Sequence, residues 1–114
     1  MKMNFTDKEI IHLCPKFQVA FQILGKKWNG LIIESFLLAG PLRFRELANK
    51  VEGCSDRVLT ERLKELAREG IVEKQAGSNS GVAHYQLTTK GEELRPIMKE
   101  VHGWSDKWCD PDKA

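Results

Sequence analysis

The sequence predicts a mainly α-helical domain that carries one small β-hairpin. Three observations predict it. Apolar residues recur at helical spacing through the first 69 positions, from Phe17 onward. The period then changes to alternation between Ile71 and Leu87, around a glycine- and serine-rich turn. Helical spacing returns from Lys90 to Trp108. A chain of 114 residues holds one domain of this kind and is too short for two ordinary ones.

Residues 1–13 read as a loosely attached arm with a short apolar patch at Ile10, Ile11 and Leu13. Cys14-Pro15 opens the first helix, because proline's missing N–H is not needed in the first turn. Phe17, Ala20, Phe21 and Leu24 follow at helical spacing, and Gly25 ends the run. A second helix spans about Lys27 to Leu38, with Trp28, Leu31, Ile32, Ser35, Phe36 and Ala39 as its apolar side. Gly40-Pro41 breaks it. Residues 41–44 form an extended connector. A third helix runs from about Arg43 to Lys50, with Phe44, Leu47, Ala48 and Val51 inward.

Glu52-Gly53-Cys54 is a tight turn. Ser55 then caps a fourth helix, roughly Asp56 to Glu69, since its hydroxyl accepts from an orphan N–H of the first turn. Gly70 is suited to the C-terminal cap. Residues 71–75 read as a strand, 77–81 as a flexible turn, and 82–87 as the returning strand. Val82, His84 and Gln86 share one face of that strand, and Ala83, Tyr85 and Leu87 the other. Thr88-Thr89 caps a last helix from about Lys90 to Trp108, and Cys109 and Pro111 mark its end. A short helix, a tight turn, a second helix and a hairpin, in that order, make the winged helix-turn-helix arrangement.

Composition narrows the function classes. The 18 Lys and Arg against 16 Asp and Glu leave a formal charge of +2, so no strongly basic or acidic tail is present. The longest apolar stretch, Leu31 to Gly40, is interrupted by Glu34 and Ser35 and is too short to span a bilayer. The N-terminal segment has acidic residues where an export signal would be apolar. Three widely spaced cysteines cannot form a fully paired disulfide set, so the expectation is a cytoplasmic protein with free thiols. The spacing of Cys and His predicts no metal site, and no cofactor is expected.

At 100° per residue, Leu59, Leu63 and Leu66 of the fourth helix form one stripe. Arg57, Thr60, Glu61, Lys64 and Arg68 project from the other side. A helix-turn-helix protein puts the start of its second helix into the DNA major groove. Ser55, Arg57 and Thr60 are then placed for base edges or nearby phosphates, and Lys64 and Arg68 for phosphate. The hairpin tip, with Ser78 and Asn79, suits a wing against the backbone, flanked by Lys74 and His84. Two plainer readings stand beside these. Glu61, Glu65, Lys64 and Arg68 also have the spacings of a merely solvated helix, and the hairpin can simply cover the edge of the core. Residues 41–70 hold seven Lys and Arg and six Asp and Glu, so DNA binding rests on sorting rather than on total charge.

The chain resembles the HxlR-type family of winged-helix transcription regulators, which is related to the MarR type. The resemblance covers about residues 14–109 and is carried by Cys14-Pro15, LGKKWNGLII (24–33), GPLRFREL (40–47), SDRVLTERLKELAREGIVEK (55–74) and HYQLTTKGEEL (84–94). It implies a homodimer that binds a pseudo-palindromic double-stranded operator, with the recognition helix in the major groove and the wing on the backbone. Ser55, Arg57, Thr60 and Arg62 fall in that helix, Arg62 at the edge of its buried side. Arg43 and Arg45 start the preceding helix, where phosphate contacts are expected, and Trp28 is expected to pack. The family also implies dimer contacts from the first and last helices. Phe17, Phe21, Ile97, Val101, Trp104 and Trp108 agree, being more apolar surface than a small monomer needs to cover its own core.

Some members of that family sense oxidants or electrophiles through a cysteine near the N-terminus, the position of Cys14 here. The start of a helix favours a thiolate independently of any resemblance. The plainer reading is a small residue packed at the dimer interface. Cys54, in the turn before the fourth helix, and Cys109 are alternative partners for Cys14 in another subunit. The expected function is a dimeric repressor with residues 14–109 as its domain and 110–114 as a tail, open to a small-molecule or oxidant inducer. A winged helix that binds only protein, and a thiol enzyme, are the other classes; the exposed cations argue against the first, and the lack of a CxxC or an assembled Cys/His/acid set against the second.

Overall fold

The computed structural model describes residues 13–77 and 81–113. The tip residues Ser78 and Asn79, and the arm up to residue 12, lie outside the described residues.

Helix α1 spans Pro15–Leu24, with Cys14 at the N-cap and Pro15 in the first turn. The Gly25 N–H closes it by donating to Phe21 O at 2.8 Å. Trp28 follows in the left-handed region, at φ 81°, and lets α2 start at Asn29 rather than at Lys27. Helix α2 spans Asn29–Ala39 and is the central element, so its apolar residues face several neighbours at once. Ile32, Ile33, Phe36 and Leu37 are buried, whereas Leu31, expected inside, is exposed. Gly40, at φ 77°, turns the chain out of α2.

Leu42 exchanges two backbone hydrogen bonds with Tyr85, at 2.9 and 2.7 Å. The connector is therefore a one-residue third strand on the edge of the hairpin. Helix α3 spans Phe44–Lys50, and the Glu46 carboxylate accepts from the Arg43 N–H at 2.8 Å. Helix α4 spans Asp56–Arg68, and Ser55 Oγ accepts from the Val58 N–H at 3.1 Å, the expected cap. At its other end Ile71 N–H donates to Leu66 O and Gly70 N–H to Ala67 O, with Gly70 at φ 75°. This is a Schellman closure, and it needs the glycine.

Strands β1, Val72–Gln75, and β2, His84–Leu87, pair antiparallel with Val72 opposite Leu87 and Gln75 opposite His84. Val82 and Ala83 precede the returning strand instead of belonging to it. The expected last helix is two. Helix α5 covers Thr89–Glu92, capped by Thr88 Oγ1 accepting from Gly91 N–H at 3.1 Å. Helix α6 covers Arg95–Trp108. Pro96 has no N–H to give Glu92 O, so the ladder breaks there. Gly91 is buried against Leu87 of β2 and the residue before β1, where a methyl would sit 2.3 Å from Ile71 O.

The core joins α2, α3, α4 and the sheet: Ile32, Phe36, Leu47, Leu59, Leu66 and Val72 are all essentially sealed from solvent. Neither α1 nor α6 contains a buried residue. The fold is mainly helical, with a winged helix-turn-helix at its centre and one helix leaving it at each end. No helix among the described residues is long and apolar enough to cross a membrane.

Candidate nucleic-acid interface

The amphipathic pattern of α4 sets which side chains it can present. Leu59, Leu63 and Leu66 are buried, so Arg57, Thr60, Lys64 and Arg68 stand on the exposed side. Arg57, Lys64 and Arg68 make no ion pair among the described residues. The Thr60 hydroxyl donates to Asp56 O at 2.8 Å, which uses its proton on the helix. Ser55 spends its acceptor on the cap and keeps its own proton as a donor.

Two of the three acidic residues of α4 are held by cations, and the third, Glu61, is exposed on the same side as Lys64. Glu65 pairs with Lys26 at 2.9 Å and with Arg62 at 3.5 Å, not with Arg68 as helical spacing had suggested. That hydrogen bond from Lys26 is the chief reason its carboxyl is held below the usual carboxylate range. Arg62 is turned toward the body, where its Nε donates to Lys27 O at 3.2 Å. Arg45 grips Asp56 with both terminal nitrogens, at 2.9 and 3.5 Å. The clamp ties α3 to the first turn of α4 and neutralises Asp56 at the start of the exposed face, on which Glu61 also stands. It links residues of two different elements, so no periodicity in the sequence reveals it.

Arg43, exposed at the start of α3, shares a polar groove with Gln75, His84 and Gln86 of the hairpin. Lys74 is exposed and its Nζ lies 5.8 Å from the Tyr85 ring centroid. The α4 face, the α3 start and the hairpin thus carry the predicted residues that fall among the described ones, and Arg62 alone of them is held inward.

The residues predicted for an interface between copies are uncovered. Phe17 and Phe21 lie against each other on α1 with tilted rings, 4.9 Å between centroids, and are exposed. Ile97, Val101, Trp104 and Trp108 form an exposed row along α6, with Trp104 at 63% and Trp108 at 66%. Leu31 and Leu38 on α2 are also exposed, Leu38 at 80%, and line one surface depression with Asn49, Lys50 and Glu52. Their signal was the i, i+7 spacing, hidden because α2 is apolar on nearly every side.

The three thiols differ. Cys14, at the α1 N-cap, and Cys109, at the end of α6, are exposed. Cys54 is half-buried with its Sγ 3.6 Å from Ser55 O. Burial pushes its thiol up, with Arg62 and Lys27 opposing.

Residues 23–113 match the family described as HxlR-like helix-turn-helix. The HTH-type transcriptional regulator YodB of Bacillus subtilis is 44% identical over 100 residues, which are 87% of this chain and 88% of that protein. The solved reduced form of YodB superposes with a TM-score of 0.76 at 44% identity, covering 88% of this chain and 98% of that one. The quinone-bound form of YodB gives 0.73 at 42% identity, covering 83% and 100%. These are transcriptional regulators rather than catalysts. The match spans the winged core and both of the helices that follow it, and so this chain belongs to the HxlR-like helix-turn-helix family of DNA-binding regulators.

Proposed function

We propose that the chain is a sequence-specific repressor that binds a pseudo-palindromic operator as a homodimer. The observation that carries this reading is the sorting of charge on α4: Arg57, Lys64 and Arg68 stand on its exposed face with no ion pair among the described residues, while Glu65 and Asp56 are each held by a cation and Glu61, the third of its acids, shares the exposed face. Ser55, Arg57 and Thr60 take the base edges, and Lys64 and Arg68 take phosphate. Arg43, Lys74, His84 and the tip residues Ser78 and Asn79 take the flanking backbone, with Arg45 bracing Asp56. Arg62 serves by fixing α4 against the α1–α2 turn. Phe17, Phe21, Ile97, Val101, Trp104 and Trp108 meet their counterparts in a second copy.

The test is binding to the DNA upstream of its own gene, by fluorescence anisotropy over a salt series. Affinity falls steeply with salt if phosphates are neutralised. Arg57→Ala costs about 1–3 kcal/mol on the specific site and little on unrelated DNA. Absence of binding at low salt, or an equal loss on both DNAs, refutes the assignment.

Cys14 is read as the thiol that responds to oxidants or electrophiles, with operator release as the consequence. Its exposure at the start of α1 and the quinone-bound form of the relative YodB support this. Cys54 is the slower thiol, being half-buried. A quinone or diamide releases wild-type protein from DNA, and Cys14→Ser keeps it bound. An equal response from both proteins makes Cys14 a packing residue.

A further inference from the structure

Helix α4 carries three acids, and two of them have structural partners. Asp56 spends both carboxylate oxygens on Arg45, at 2.9 and 3.5 Å. Glu65 spends one oxygen on Lys26 at 2.9 Å and the other on Arg62 at 3.5 Å. Glu61 is exposed and makes no ion pair among the described residues, although Arg57 stands one turn before it and Lys64 just beyond it.

Nothing in the helix itself calls for a carboxylate there. Glu61 lies beyond the first turn of α4, where the helix dipole favours an anion. Arg57 before Glu61 is the weaker order for a pair one turn apart. Glu65 follows at the same spacing and carries a like charge.

Its place on the face suits a reader of bases. At 100° per residue, Glu61 lies about 40° around the helix from Arg57 and about 6 Å further along it. Lys64 and Arg68 lie within about 20° of Arg57 on the same count, so the carboxylate stands inside the cationic strip. Against phosphate such a group only repels. Against base edges it has a use, because a carboxylate accepts and does not donate. It can bond the amino group that cytosine presents in the major groove, whereas guanine O6 and N7 and thymine O4 are acceptors and repel it. Adenine sets its N7 acceptor beside its amino group and is disfavoured for that reason. No neighbour supplies the same contact by a carboxylate: Arg57, Lys64 and Arg68 only donate, and both Asp56 oxygens are taken.

We propose that Glu61 is a specificity-determining residue, which accepts a hydrogen bond from the amino group of a cytosine about one to two base pairs from the guanine read by Arg57. The assignment rests on the proposed function, in which α4 enters the major groove.

The test is selection of double-stranded DNA from a randomised pool by the full chain, by Glu61→Ala and by Glu61→Gln. Glu61 is exposed, so both variants keep the wild-type melting temperature. We expect wild-type half-sites to hold a cytosine that is preferred about tenfold over other bases. Glu61→Ala loses that preference and keeps the guanine. Glu61→Gln moves it to adenine, because glutamine pairs with N6 and N7 together. Both variants bind unrelated DNA more tightly than wild type, since a charge that repels phosphate is gone. Replacing the selected cytosine by pyrimidinone, which lacks the amino group, weakens wild type about tenfold and leaves Glu61→Ala unchanged. Identical selected sequences from all three proteins, or a loss in Glu61→Ala that is equal on operator and unrelated DNA, overturns the proposal and leaves the proposed function standing. A wild-type chain that selects no sequence overturns both.

Discussion

Helices α2 and α6 are of similar length, eleven and fourteen residues, and both are rich in large apolar side chains. Six residues of α2 are buried and none of α6. The same contrast separates the winged body from both end helices. The body closes around its own core, from Ile32 to Val72. The end helices hold on through their near ends and a few polar bonds, such as Arg95 Nη1 donating to Leu37 O at 3.1 Å and His102 meeting Glu34. Helix patterning is thus satisfied internally for the body, while the apolar rows of the end helices stay exposed.

Breaking the body gives the largest effect. Phe36 is 1% exposed at the centre of α2. Phe36→Ala removes a ring that neighbours cannot fully replace and costs about 3–5 kcal/mol. Urea unfolding monitored by circular dichroism checks it, and α6 should lose its anchorage together with the body.

Breaking the ends should do the reverse. Trp104→Lys puts a charge in the exposed row of α6 without touching the core. An aromatic anchor at an interface is worth about 2 kcal/mol or more, which is on the order of 30-fold in the dimer dissociation constant. Sedimentation equilibrium should show a shift toward monomer while the hairpin and α2 to α4 stay folded. A dimer of unchanged stability would mean that the second copy sits elsewhere.

The body was also the more legible region. Ser55 as cap, Gly70 as terminator and the Leu59–Leu63–Leu66 stripe are local signals, and the structure contains all three. What escaped was non-local or masked. Leu42 is a strand of one residue and has no period to detect. The pairing of Leu31 with Leu38 was hidden because α2 has no polar face to point the other way. Pro96 was a readable break, but the apolar row from Leu94 to Trp108 continues across it and argued for one helix. At the candidate site, the exposed cations were legible from the helical wheel. The partners Arg45–Asp56 and Lys26–Glu65 were not, since each joins side chains from different elements.

The smallest effect lies at the seam between the two regions, where Lys26, in the turn after α1, holds Glu65 of α4. The Glu65 carboxyl is lowered first by the hydrogen bond from Lys26, with burial opposing and the charges of Lys26, Arg62 and Arg68 adding to the shift. A folded value below the unfolded one means that the group stabilises the fold above the unfolded value, near about 4.3. That contribution is lost as pH falls through the lower, folded value. Glu65→Gln should therefore cost stability at pH 7 and nothing in strong acid, with the two melting curves converging below about pH 4. The pair is substantially solvated, at 42% and 30% side-chain exposure, so the difference at pH 7 is about 0.5 kcal/mol and shrinks with added salt. A difference that persists unchanged into acid would show that Glu65 acts by packing, and that α1 is joined to the body by shape rather than by charge.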